Sequence, residues 1–184
     1  QYAQESLTLA QTLDYADEIA PNLNLLGIVN AVQGRYAEGR AYWMQALALY
    51  RARGEKRSMA FTLNNIGINS RYRKDYAEAL TYASEALAIL REIHDATGMA
   101  LVLNDLGKAA RLLGEYDRAQ TYLEEAYGLA DEFGLPFQLL INQATQGRVQ
   151  VAQKRWADAF ANLQAALASA YKLNAMILLM EVLV

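Results

Sequence analysis

The chain has 184 residues and a net charge of −3, from 17 Lys and Arg against 20 Asp and Glu; this is enough for one sizeable core or a run of small stacked units, and it fits neither disorder nor a polyanion-binding tail. Hydrophobic residues reach 54% with only 2 prolines and abundant Gly, Ala, Leu and Tyr, the composition of closely packed helices and an argument against an all-β fold. There is no cysteine, and His94 is the single histidine, which excludes disulfides, thiol chemistry and the common Ser-His-Asp and zinc arrangements.

In chain order, Gln1 stands where an initiator methionine would, and no charged-apolar-small leader follows, so the sequence reads as a piece of a longer protein. A forty-residue period then runs through it without insertion. Gly27, Gly67, Gly107 and Gly147 form one column; Tyr36, Tyr76, Tyr116 and Trp156 a second; Gly39, Ala79, Ala119 and Ala159 a third; and Ala46, Ala86, Ala126 and Ala166 a fourth. Residues 1–17 read as the second helix of a truncated repeat, because Tyr2 lies 120 positions before Tyr122. Four repeats follow at 18–54, 55–94, 95–134 and 135–174, and 175–184 opens another that is cut off.

Within each repeat apolar residues recur at three- and four-residue spacing, as in Leu63 and Ile66, then Tyr76, Leu80, Ala83, Leu87 and Leu90, which predicts two helices per unit. Polar turns separate them at Gly34-Arg35, Lys74-Asp75, Gly114-Glu115 and Lys154-Arg155. Repeats are separated at Arg53-Gly54-Glu55, His94-Asp95, Phe133-Gly134 and Lys172-Leu173-Asn174, with Pro136 opening a helix. A mid-helix glycine costs about 1 kcal/mol against alanine, so four in register imply close approach of a partner helix, with the small column at 39, 79, 119 and 159 opposite. The aromatic column is expected to bury a large face between successive pairs.

Leu26-Gly27, Tyr36, Gly39 and Ala46, repeated as Ile66-Gly67, Tyr76, Ala79 and Ala86, as Leu106-Gly107, Tyr116, Ala119 and Ala126, and as Gln146-Gly147, Trp156, Ala159 and Ala166, resemble the tetratricopeptide repeat. The period is longer than the usual one, and Arg51, Arg91, Asp131 and Tyr171 stand where that motif has proline. This long form is similar to repeats in kinesin light chains, Pins-type adaptors, Rap-type regulators and the sensor arms of large bacterial regulators. The resemblance implies an all-α, right-handed superhelical solenoid of antiparallel helix pairs, here with about ten helices including two partial ones, whose first helices line a concave face. It also implies a protein-protein interaction module, and a cytoplasmic sensor or adaptor arm is expected.

Charge placement bears on that implication. The first-helix stretches, taken as 19–34, 57–73, 97–113 and 137–153, carry Arg57, Arg71, Arg73, Lys108, Arg111 and Arg148 against the lone acid Asp105, whereas the second helices carry most of the carboxylates. Asn24, Asn64 and Asn104 form a further column, and the residues four and seven positions on (Ile28 and Ala31, Ile68 and Arg71, Lys108 and Arg111) share its face. An asparagine amide both donates and accepts, so a ladder of them suits the backbone of an extended peptide, a role the resemblance also implies. Ala144 interrupts it in the last repeat. The candidate ligand-binding residues are therefore Asn24, Asn64, Ile68, Arg71, Asn104, Lys108, Arg111 and Arg148, for an extended acidic protein or peptide segment.

A structural or oligomerisation scaffold is the other reading, with the stripe a solvated helix face. Catalytic residues, cofactor and metal are expected to be absent: no phosphate-loop motif occurs, and His94 beside Asp95 reads as an exposed turn residue. Neither nucleic acid nor membrane is expected as a partner. The apolar run 176–184 is far shorter than the roughly 20 residues of a span, but as an uncapped helix it is expected to self-associate.

Overall fold

The computed structural model describes residues 16–175. Among the described residues there are eight α-helices and no strand: α1 (Ala16–Val32), α2 (Tyr36–Arg53), α3 (Lys56–Tyr72), α4 (Tyr76–Glu92), α5 (Ala96–Leu113), α6 (Tyr116–Glu132), α7 (Pro136–Ala152) and α8 (Trp156–Lys172). The part-repeat expected at the N-terminus falls almost wholly outside these residues, as does the apolar C-terminal run expected to self-associate; eight helices are therefore seen where about ten were expected. The chain forms two compact units, the first ending at Ile93 with α1–α4 and the second beginning at His94 with α5–α8. In each, consecutive helices pair most closely within a repeat (α1 with α2, α3 with α4, α5 with α6, α7 with α8), and the second helix of one repeat packs on the first helix of the next.

Turn chemistry sets the helix length. Gly34, Gly54, Lys74, His94, Gly114, Gly134, Lys154 and Asn174 all have left-handed φ, between 51° and 87°. They fall at a constant interval of half a repeat. The amide that follows the left-handed residue bonds a carbonyl five residues back: Arg35 to Asn30 at 2.9 Å, Asp75 to Ser70 at 2.9 Å, Glu115 to Ala110 at 2.9 Å and Arg155 to Gln150 at 2.8 Å. This closure satisfies carbonyls that a helix end would otherwise leave bare, and it stops the helix at a fixed residue. The next helix starts at once. Asp75 and Asp95 cap it through their side chains, accepting from the amides of Glu78 (3.1 Å) and Gly98 (2.9 Å), and Pro136 occupies a first-turn position where its missing N–H costs nothing.

The glycine column is a packing device, as its register implied, but its partners are more varied than expected. A Cβ on Gly27 would lie 2.5 Å from Trp43 Nε1, one on Gly107 2.7 Å from Leu123 Cγ, and one on Gly147 2.6 Å from Leu163 Cγ. The small column does stand opposite in the first, second and fourth repeats, where a Cβ on Gly39 would meet the Gly27 carbonyl at 2.9 Å, one on Gly67 the Ala79 carbonyl at 3.1 Å and one on Gly147 the Ala159 carbonyl at 3.4 Å. At Gly107 the nearest neighbour is Leu123. The missing Cβ makes room for a large side chain that crosses the pair one turn beyond the small column.

The alanine column is sealed, with Ala46, Ala86 and Ala166 at 0% and Ala126 at 1% exposure, and around it Leu47, Leu63, Ile66 and Leu90 fill the first unit and Val102, Leu103, Leu106, Leu123 and Leu140 the second. The aromatic column departs from expectation. Tyr36, Tyr76 and Tyr116 are only half-buried, and Trp156 is 63% exposed. Each opens a second helix and lies at the margin of its pair. Tyr36 is covered by the parallel ring of Tyr72 at 6.1 Å, and Trp156 has no such cover among the described residues.

Two glycine substitutions separate packing from propensity. Gly39→Ala sets its Cβ against a backbone oxygen that cannot rotate away and is expected to cost about 1–3 kcal/mol. Gly128→Ala, on α6 with nothing within 4 Å of the new Cβ, is expected to gain about 0.5–1 kcal/mol. Urea unfolding of both variants checks the pair.

Candidate functional site

The first unit brings Asn24 and Ile68 together across α1 and α3. Asn24 is half-buried and its Oδ1 accepts from Asn65 Nδ2 at 3.3 Å, while its carbonyl accepts from the Trp43 indole at 3.1 Å. Ile68 lines a pocket of about 390 Å³ together with Ile28, Ala31, Val32, Tyr36, Trp43, Asn65, Asn69 and Tyr72. The Arg71 guanidinium lies 4.7 Å over the Tyr72 ring. Asn64, on the same helix, is 2% exposed, so its amide is not displayed to solvent.

In the second unit Asn104 is likewise sealed, at 4% exposure, and its Oδ1 accepts from Thr145 Oγ1 at 3.3 Å. The asparagine column therefore differs from an open ladder. Asn24 to Asn65 and Asn104 to Thr145 are the same bond one residue off the repeat, joining successive first helices, and that seam buries the amides. Lys108 is half-buried and pairs with Asp105 at 3.0 Å on its own helix, so that acid neutralises one of the bases, and because α1 begins earlier than expected Asp17 and Glu18 are first-helix acids too. Arg111 and Arg148 are half-buried on α5 and α7.

Trp43, Asn65, Asn69 and Tyr72 were missed by the sequence reading. Val32 and Tyr72 lie one helical turn beyond Ile28 and Ile68, so following the stripe a turn further would have found them. Trp43 carried no such signal, because the other repeats have Ala83, Leu123 and Leu163 at its position.

A polar cluster in the first unit also lies among the second-helix carboxylates. The Glu78 carboxylate accepts from Arg40 and, at 2.7 Å, from Ser70 Oγ; Arg40 also donates to the Tyr82 hydroxyl at 3.1 Å, and Arg73 lies 3.7 Å away. Burial works to raise the Glu78 carboxyl, but the Ser70 hydroxyl and the Arg40 guanidinium outweigh it and hold the group below its ordinary value. The bond to Glu78 in turn raises Arg40. The cluster ties α2 to α4 and to the end of α3, a structural role.

No group of three His, Asp or Glu that could hold a metal ion occurs among the described residues, and none of their helices is long and apolar enough to cross a membrane.

The tetratricopeptide repeat family model matches residues 17–92 and 58–132, more than half of the sequence. The chain belongs to the tetratricopeptide repeat family. Among solved structures, BtubC from P. vanneervenii is similar with a TM-score of 0.79 at 22% identity, over 94% of this chain and 72% of that one. A Rap protein complexed with competence and sporulation factor gives 0.81 at 19% identity, over 90% of this chain and 46% of that one. A signal-transduction ATPase with numerous domains and a tetratricopeptide repeat sensor, from Pyrococcus horikoshii, gives 0.77 at 17% identity, over 91% and 26%. This chain thus spans less than half of the last two, and at such identities the likeness concerns the repeat fold. No curated protein matches the sequence significantly.

A carboxyl depressed on folding contributes stability that is present above its unfolded pKa and is lost as pH falls through its folded one. Glu78→Gln is therefore expected to cost about 1–2 kcal/mol near neutral pH. The difference from the wild-type protein should begin to shrink below about pH 4, where the unfolded carboxyl protonates, and should be smallest once the folded carboxyl protonates as well. Paired melting curves at neutral and acid pH check this.

Proposed function

We propose that this tetratricopeptide repeat chain is a protein-protein interaction module that binds an extended acidic segment of a partner on the faces of its first helices. The observation that carries the reading is the placement of charge. Arg71 in the first unit and Lys108, Arg111 and Arg148 in the second are half-buried on first helices, while Glu38, Glu85, Glu92, Glu124, Asp131 and Asp158 stand exposed on second helices. Half-buried guanidinium groups keep their charge and are screened less than exposed ones, so they favour carboxylates over bulk anions. Asn24 and Ile68 belong to the same surface in the first unit. Asn104, bonded to Thr145, contributes by tying α5 to α7, the helices that carry the bases of the second unit.

In the larger protein we read this chain as the sensor or adaptor arm of a bacterial signalling or transcription-regulatory protein. The Rap complex and the sensor-bearing ATPase support that reading as relatives of the same fold.

The test uses Lys108→Gln with Arg111→Gln. Glutamate at 108 would set a second carboxylate beside nearly buried Asp105 and confuse binding with stability. A labelled Asp- and Glu-rich peptide of about ten residues is expected to bind the wild-type chain, to weaken as salt rises, and to lose roughly tenfold in affinity, about 1.4 kcal/mol, in the double variant. Binding that is unchanged by the double substitution and by salt would overturn this assignment of the bases, and absence of binding would favour the scaffold reading instead.

A further inference from the structure

The pocket in the first unit has two kinds of wall. Its floor is the Trp43 indole, 3% exposed and pinned by its N–H to the Asn24 carbonyl, and it can lie there only because Gly27 has no side chain. Ile28, Ile68 and Tyr72 form apolar and aromatic sides, with Ile28 40% and Tyr72 57% exposed at the mouth. At about 390 Å³ the space is near the lower end of ligand pockets, roughly 300–1,000 Å³, and suits one large side chain better than a folded element.

Two polar groups in this setting lack partners. Asn69 lines the pocket at 1% exposure; its Nδ2 donates to the Tyr36 carbonyl at 3.1 Å, and its Oδ1 has no donor among the described residues. Arg71, beside Tyr72, forms no salt bridge among the described residues, and its Nε is buried without an acceptor. A buried carbonyl without a donor is a standing cost that an incoming N–H or O–H relieves, and a cation at the rim of an apolar site selects for a carboxylate next to the inserted group.

We propose that this pocket takes the side chain of a tyrosine flanked by acidic residues in the partner segment. The ring packs on Trp43 between Ile28 and Ile68, the phenol O–H donates to Asn69 Oδ1, and a neighbouring carboxylate pairs with Arg71. Phenylalanine supplies the ring without the donor, aliphatic side chains supply neither, and lysine is repelled by Arg71. The assignment rests on the acidic-segment reading above and adds to it one anchor residue and its chemistry.

The chain has 2 tryptophans, so a Trp156→Phe variant leaves Trp43 as its only indole, lying directly under the proposed ligand. Three acidic peptides of about ten residues, identical except for tyrosine, phenylalanine or alanine at the centre, are titrated against this variant while tryptophan emission is read. The tyrosine peptide is expected to bind at least about tenfold tighter than the alanine peptide, with phenylalanine between them, and to shift the Trp43 emission. Tyr72→Ser in the same background, with its helical circular dichroism and melting checked first, should weaken the tyrosine peptide and leave the alanine peptide unchanged. Binding that ignores the central residue, or that leaves Trp43 emission unmoved, overturns the anchor while the acidic-segment reading stands. Absence of binding by all three peptides overturns both.

Discussion

A left-handed backbone residue at a constant interval of half a repeat is the constraint on which the other features depend. It stops helices of 17 or 18 residues, such as α2 and α3, by tying the following amide to a carbonyl one turn and a half back. Because the interval never changes, every side chain keeps its register against the neighbouring helix from one repeat to the next. Four of the eight positions hold glycine, and Lys74, His94, Lys154 and Asn174 accept the strained conformation without it. His94 thus has a conformational duty at its turn.

Given that register, two contacts define a repeat. Within a pair, the mid-helix glycine lets a large side chain from the other helix lie across its backbone: Trp43 in the first repeat, Leu123 in the third and Leu163 in the fourth. Between repeats, an amide or hydroxyl seam joins successive first helices, as in Asn24 with Asn65 and Asn104 with Thr145. The second contact explains why residues that look available for a ligand are buried. The first creates the pocket, since a Cβ at Gly27 would drive the indole out of the floor.

The fold was legible in the sequence because glycine, alanine and aromatic columns at constant spacing leave little freedom to the helix pairs that carry them. The site was legible only in part. Charge segregation could be counted along the chain, and Ile68 and Arg71 do lie beside the pocket. The asparagines were misjudged because helical periodicity gives the face a residue shares, and the depth at which that face meets the next helix depends on side chains about forty positions away, such as Asn65 and Thr145. Trp43 was invisible for a related reason: its importance comes from being unlike the other members of its column. Glu78 looks in the sequence like any other second-helix carboxylate, and its partners Arg40 and Ser70 lie on two other helices.

The hydrogen bonds that join repeats also have a kinetic meaning. Arg40 reaches Tyr82 across 42 residues, and Asn24 to Asn65 and Asn104 to Thr145 each span 41, so ordering these helices requires closing loops of little more than one repeat. Loop-closure entropy grows only slowly with length, and proteins built from near-neighbour contacts of this kind fold fast. Within each unit such near-neighbour contacts give no single region whose formation must precede the rest. Folding can begin at whichever adjacent pairs form first and spread outward in both directions, and under load or heat the same array comes apart in steps from its weakest junction.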